Sequence, residues 1–264
     1  MSPRSSGGAK TPERAPLAFT VIALDVTDST QSEIQRRAMA GAPEGTVVTA
    51  RHQRAGRGQR GHDWWDTPGQ SLLCSVLLRP DGPPATVPQL SLVIGLAVAE
   101  ALAAAAGVSP RIRWPNDLLV DGRKLCGILA EAATGGGRVE HVILGVGVNL
   151  DQSAFPDALA ERATSLRLLT GRAPGAPVLL AALLERLGAR YAEWRGGGFA
   201  AVRAAWLAHS TLPGQVVRLP DGGLGRAEDV GPDGVLLARA ADGRLIPIVS
   251  GAAVEEGAVH AARH

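Results

Sequence analysis

Gly56-Arg57-Gly58-Gln59-Arg60-Gly61-His62-Asp63-Trp64 packs three glycines and two arginines into nine residues. How this run is read decides the fold. Glycine lets a backbone take positive φ and approach a ligand closely. Arginine brings a planar fork for carboxylate or phosphate. Together they describe a loop that holds an anion. Taken literally, Gly56-x-Gly58-x-x-Gly61 is a dinucleotide fingerprint, and Asp81 falls roughly 20 residues on, where a ribose-binding acid would stand. That fingerprint needs its glycines to open a helix inside a strand–helix–strand unit. Here Trp64-Trp65-Asp66-Thr67-Pro68-Gly69 follows, a poor helix start. A doubly wound sheet is therefore rejected. A kinase-type loop fails as well, because Asp63 stands where valine is required, and no Walker G-K-[ST] occurs in the chain. A basic patch, with Arg51, His52, Arg54, Arg57, Arg60 and His62 beside tryptophans, would suit single-stranded nucleic acid. It does not explain why glycines alternate with the charges.

Outward from the loop, the pattern is one of short strands. Leu17 to Asp25 and Thr46 to His52 read as strands, with a helix from Ser29 to Ala40 between them. Ser71 to Leu78 is a third strand. Leu90 to Ala106 is the longest apolar run, short for a membrane span and broken by Glu100, so a buried helix is expected. Thr86-Val87-Pro88-Gln89 reads as its capping box and Gly107 as its stop. Arg111 to Trp114, Leu118 to Val120, Lys124 to Ala130 and His141 to Leu150 are further strands, with Asp121-Gly122 as a hairpin turn. Strands and hairpins after one helix predict an α+β fold, a mixed or antiparallel sheet flanked by helices. Val178 to Arg195 and Phe199 to His209 read as helices parted by Gly196-Gly197-Gly198. From Leu212 onward, short strands are punctuated by Asp221-Gly222-Gly223, Gly231-Pro232-Asp233-Gly234 and Asp242-Gly243. This small β module is too small for a full core and is expected to lean on the larger unit. The expected domains are a disordered tail over 1–16, a main domain over 17–211 and the β module over 212–256.

Composition narrows the function. A net charge of +2 over 264 residues does not imply bulk binding to nucleic acid or membrane. Cys74 and Cys126 are far apart and in apolar runs, which argues for buried thiols and against zinc or a disulfide framework. The polar start, without an apolar stretch, is not a secretory signal, so a cytoplasmic location is expected. No Ser-His-Asp or activated-cysteine motif offers a nucleophile.

Two more clusters complete the pattern. Arg113-Trp114-Pro115-Asn116-Asp117 is followed, after the hairpin turn, by Lys124-Leu125-Cys126-Gly127-Ile128-Leu129. Gly145-Val146-Gly147-Val148-Asn149 then places two glycines at alternate strand positions. Glycine weakens a strand unless something approaches it closely, so this face is expected to be bare, with room for a flat ligand.

With these clusters in order, the chain strongly resembles the biotin protein ligases, from about Asp25 to Val254. Their pattern is Ser-Thr-Asn, Q-x-x-GRGRxGR-x-W, KWPND, K-x-x-GIL and GxGxN, followed by an SH3-like C-terminal domain. The resemblance implies a catalytic domain like that of class II aminoacyl-tRNA synthetases. It implies two half-reactions: biotin and ATP give biotinyl-5′-AMP, and a lysine of a biotin carboxyl carrier domain then takes the biotinyl group. ATP with Mg²⁺ is the implied cofactor, the ion being held by substrate phosphates.

Carried over, the resemblance assigns Ser29, Thr30 and Gln53 to the ureido ring, and Gly56 and Arg57 to the biotin carboxylate and α-phosphate. Lys124 sits where those anions meet. Gly127, Gly145 and Gly147 line the biotin slot. Trp64 lies against adenine, and Gly58, Gln59, Arg60 and Gly61 belong to the ATP-binding loop. Asn116 and Asn149 hold phosphate or Mg²⁺-linked groups, and Asp117 faces the acceptor lysine. Catalysis is assigned to Arg57, Lys124 and Asp117.

Gln31, Arg113, Gln59 and His62 depart from the pattern, standing for Asn, Lys, Arg and Arg. With two fewer loop cations, biotinyl-AMP is expected to be held less tightly. A mobile lid that orders on ligand binding is expected of the glycine loop. The expected partners are biotin, ATP and the carrier domain. Neither DNA nor membrane is expected, since no helix-turn-helix precedes the pattern, and the protein is expected to be a monomer or homodimer. A lipoate ligase of the same fold is the nearest alternative, and a single-strand-binding module is the alternative of another class.

Overall fold

The structure, a computed structural model, describes residues 17–249. The first tail and the end of the C-terminal module, residues 250–256, lie outside the described residues.

Seven strands form one sheet in the order β1-β2-β3-β7-β6-β5-β4. They are β1 (Thr20–Thr27), β2 (Thr46–Gln53), β3 (Ser71–Leu78), β4 (Arg111–Arg113), β5 (Asp117–Val120), β6 (Arg123–Gly135) and β7 (Arg138–Asn149). The sheet is mixed: β1 and β2 are parallel and every other pair is antiparallel. The parallel pair is joined by helix α1 (Thr30–Met39), so a strand–helix–strand unit does form. It lies upstream of the glycine run, which joins two antiparallel strands and opens no α-helix, only a 3₁₀ turn over Gln59–Gly61. Ser29 caps α1 by accepting from the Gln31 N–H. The β5–β6 hairpin turns on Asp121 (φ 50°) and Gly122 (φ 76°), a turn that needs positive φ at both residues.

The back face of the sheet carries the core. Helix α2 (Val87–Ala106) and helix α5 (Ala176–His209) pack on it, burying Leu90, Ile94, Val98 and Leu102 of α2 with Leu187, Tyr191 and Trp206 of α5. The stretch Pro84–Ala106 is apolar enough to cross a membrane, but 67% of that window lies inside the molecule. Gly107 stops α2 at φ 66°, as expected. The expected capping box does not form. Thr86 is in α-conformation after a 3₁₀ turn and bonds Pro83 O, while the Gln89 Oε1 accepts from Trp194 Nε1 and Phe199 N. Gln89 thus serves the α2–α5 contact instead of the helix end. Helix α5 is broken at Gly197 and Gly198, the latter at φ 63°, where the glycine triplet placed a break.

Four antiparallel strands form the small sheet: β8 (Val216–Arg218), β9 (Leu224–Val230), β10 (Leu236–Ala240) and β11 (Leu245–Ile248). Val217, Ala227, Leu236 and Ile248 join the same hydrophobic cluster as α2, so the module leans on the main core. Arg203 of α5 ties it down, giving Nη2 to both Asp229 oxygens (2.6 and 2.5 Å) and Nε to Val230 O (2.6 Å). Two short helices escaped the sequence reading, α3 (Asp157–Ala160) and α4 (Leu166–Thr170).

Candidate functional site

The front face of the sheet holds the site, and strand register explains its shape. Directly paired residues point to one face. One cross-strand row runs Leu24, Ala50, Leu73, Gly147, Gly127, Asp117, Arg113. It is apolar at one end, bare backbone in the middle and charged at the other. The next row runs Ile22, Val48, Ser75, Gly145, Leu129. Helix α1 covers the apolar end, packing Ile34 and Ala38 on Val48, Leu77 and Ile143. The glycines therefore floor a trough between α1 and a charged rim.

The trough is not bare. The Trp64 indole lies on it: a Cβ added to Gly147 would meet Trp64 Cε2 at 2.6 Å, and one on Gly127 would meet Cζ3 at 2.9 Å. Gly145 is approached by Gln31, whose Oε1 would lie 2.6 Å from such a Cβ. The close approach demanded by the glycines is thus made by side chains of the protein itself. Trp64 lines both cavities of the site, an inner one of about 50 Å³ and an outer one of about 530 Å³. Its Nε1 is buried without a hydrogen-bond partner, a donor left over at their boundary.

The inner cavity is lined by a polar chain. Gln53 Oε1 accepts from the Thr30 N–H (2.8 Å) and Oγ1 (3.0 Å). Thr30 Oγ1 lies 2.9 Å from Ser75 Oγ, which donates to Gln31 Oε1 at 2.9 Å. Gln31 Nε2 donates to Ile143 O and Leu129 O (3.2 and 3.4 Å). Ser29, Arg57, Lys124 and all three predicted slot glycines also line this cavity. Ser75 was missed, since one serine in an apolar strand carries no signal of its own.

At the charged rim, Asp117 holds two cations, Arg113 Nη2 and Lys124 Nζ, both at 2.6 Å. Burial, the largest influence, would raise its pKa, but the charges and hydrogen bonds of Lys124 and Arg113 outweigh it and hold the carboxyl below its ordinary value. Lys124 is braced by its backbone, which pairs with Arg162 O and Thr164 N. The outer cavity opens beside this rim and takes in Gly58, Gln59, His62, Asn116, Asp117 and Asn149. Asn116 Nδ2 donates to Ile128 O, and Asn149 Nδ2 to Thr164 O, both at 2.9 Å.

Its far wall is apolar and was not predicted. Trp65 packs on Phe155 (centroids 5.6 Å), with Leu159 of α3 beside them. Phe155 and Leu159 sit in a segment that the sequence left unassigned. A Pro-flanked aromatic close after the last glycine cluster was the available hint.

The glycine run closes over the trough. Arg57 and Asp63 pair through their backbones, where the Gly58 N–H donates to His62 O and the Trp64 N–H to Gly56 O. Gly56 is required by this pairing, because its Cβ would meet Trp64 O at 2.6 Å. Gly56 and Gly61 line neither cavity, and the Arg60 side chain lies outside the described part of the structure. His52 Nδ1, 2.9 Å from Asp66, pins the returning leg to β2.

Comparison with known proteins decides the family. The sequence profile of the biotin/lipoate A/B protein ligase family matches residues 23–149. The chain is similar to the bifunctional ligase/repressor BirA of Bacillus spizizenii, 36% identical over 228 residues, which are 84% of this chain and 70% of that protein. It is 39% identical over 225 residues to the biotin–[acetyl-CoA-carboxylase] ligase of Mycobacterium tuberculosis, covering 81% of this chain and 82% of that one. The chain belongs to the biotin protein ligase family. Among solved structures, the biotin protein ligase from Aquifex aeolicus in complex with biotin and ATP matches with a TM-score of 0.75 at 28% identity, covering 88% of this chain and 96% of that chain. In this ligase the three motif clusters, far apart in sequence, converge on one trough, and all four departures, Gln31, Gln59, His62 and Arg113, line its cavities.

Proposed function

We propose that this ligase activates biotin with ATP as biotinyl-5′-AMP and passes the biotinyl group to a lysine of a biotin carboxyl carrier domain. The observation that carries the proposal is the cross-sheet row from apolar cover, over bare backbone, to fixed cations. A fused-ring acid needs such a sequence of surfaces: an apolar wall at the closed end, where the polar chain of Thr30, Gln53, Ser75 and Gln31 stands beside it for the ring's polar edge, a flat floor, and positive charge at its carboxylate. In the first step a biotin carboxylate oxygen bonds to the α-phosphorus and pyrophosphate leaves. In the second, the lysine amine bonds to the acyl carbon and AMP leaves, with loss of a proton.

Neither step requires an enzyme nucleophile. Placing two anions side by side does require fixed positive charge, which Lys124 and Arg113 would supply from the floor and Arg57 from the lid. Thr30, Gln53, Ser75 and Gln31 would meet the ureido ring, which both donates and accepts. Trp65, Phe155 and Leu159 would hold the adenine in place of Trp64, the residue first expected there, whose indole lies on the glycine floor. Asp117, kept ionised by its two cations, is a poor base and would act by orienting Lys124.

Among the described residues no cluster of three His, Cys, Asp or Glu could hold a metal. Asn116 and Asn149 offer amide oxygens, a donor set that suits Mg²⁺ arriving with nucleotide phosphates. The ion when bound would offset phosphate charge. An inner cavity of about 50 Å³ is small against the roughly 300 Å³ of ordinary ligand sites. Biotin would therefore enter with Trp64 and the lid displaced.

Exchange of labelled pyrophosphate into ATP tests the reading. Exchange should depend on biotin and not on lipoate. Exchange driven by lipoate alone would overturn it.

A further inference from the structure

Arg57 is the one lid cation assigned to the reaction whose side chain the structure describes, and its partner is a residue that no motif contains. Its Nη2 donates to Glu131 Oε2 at 3.0 Å, with side chains 40% and 35% exposed. Glu131 stands on β6, opposite Ile143, in the row that runs on to Leu77. Strand alternation puts it on the same face as Gly127 and Leu129, two of the residues lining the inner cavity. The lid hangs from β2 beyond Gln53, and Arg57 itself lines that cavity. The ion pair therefore spans the mouth of the trough, from the lid on one side to the sheet on the other.

One guanidinium nitrogen is used, and a guanidinium has five N–H donors in a fixed fork. Holding one arm orients the rest without consuming them. With Trp64 on Gly127 and Gly147, the lid is fastened to the floor at two points, one by packing and one by charge.

We propose that Glu131 is a positioning residue. It holds Arg57 across the mouth of the trough, keeps the lid closed and thereby sets how long the acyl-adenylate is retained. This rests on the proposed function for the adenylate, though not for the strap itself. A half-exposed pair is worth little, so the expected effect is roughly two- to fivefold.

Hydrogen exchange of the lid amides, residues 56–64, should quicken by about that factor in Glu131→Gln and further in Glu131→Lys. The amides of β6 and β7 should be unchanged. Biotinyl-AMP release should quicken in parallel, with biotin-dependent pyrophosphate exchange retained. In the unaltered protein, raising salt to about 1 M should loosen the lid toward the Glu131→Gln level, because the charges are screened. This arm does not depend on a variant folding. Lid exchange that is insensitive to both variants and to salt overturns the strap. Absence of pyrophosphate exchange in the unaltered protein would instead overturn the functional reading and leave the lid measurement to decide Glu131.

Discussion

The lid and the floor of the trough both carry cations, and they hold them differently. On the floor, Lys124 and Arg113 share one carboxylate whose side chain is only 14% exposed, with both contacts at 2.6 Å and Lys124 further braced by backbone pairing. On the lid, Arg57 has one half-exposed bond to Glu131, and Gln59 and His62 stand where relatives were expected to have arginine. Charge fixed on a sheet needs no reorganisation when charge develops beside it. Charge on a lid must be gathered each time the lid closes. Among the described side chains of the site, the cations held most firmly are those of the floor.

The largest effect should come from the floor. Lys124→Met should lower adenylation on the order of 10²–10³-fold, as loss of one preorganised donor does. Single-turnover formation of the adenylate would show it, and a loss below tenfold would mean that the lid carries the charge. Gly147→Ala should come next. Its methyl has nowhere to go while the indole is 2.6 Å away, so the lid must lift. Overpacking of this kind costs about 1–3 kcal/mol, so in the unliganded protein hydrogen exchange of the lid amides should quicken roughly tenfold. With Trp64→Ala in the same chain, Gly147→Ala should have little further effect on lid exchange, a coupling that the double-mutant cycle measures.

Smaller still is the acid response. The Asp117 carboxyl titrates below its ordinary value of 3.8, so its ion pairs stabilise the fold fully above that pH. The contribution fades as the pH falls through the lower folded value. Asp117→Asn should be less stable at neutral pH, and the gap in denaturation midpoint should close below about pH 4. A gap independent of pH would mean that packing, and not charge, holds the rim.

The smallest change is expected on the lid. Gln59→Arg should slow biotinyl-AMP release a few-fold, the scale of an exposed charge. No change would show that Gln59 does not reach the adenylate.

What the sequence made legible was local. Gly107, Asp121-Gly122 and the glycine triplet in α5 were readable because turn chemistry needs positive φ at particular residues. The expected mixed sheet flanked by helices is present, with the small sheet behind it. Its strand order was not readable, because pairing β3 with β7 joins residues some seventy positions apart, and no local pattern encodes that. The site divides along the same line. Thr30, Gln53, Lys124 and the slot glycines were named from motifs and do come together. Ser75, Trp65, Phe155 and Glu131 were not, since each is unremarkable until the fold supplies its neighbour. The glycines were read as a bare face with room for a flat ligand. What approaches them is Trp64 and Gln31, which only the packed structure reveals.

The most direct test of the account is transfer without nucleotide. The protein, loaded with biotinyl-AMP and freed of ATP, is mixed with a biotin carboxyl carrier domain, and the acceptor is mapped by mass spectrometry. The account predicts one biotinyl group on a single lysine, formed as AMP appears. An acceptor left unmodified, or labelled over many lysines at the rate of free adenylate, would contradict it.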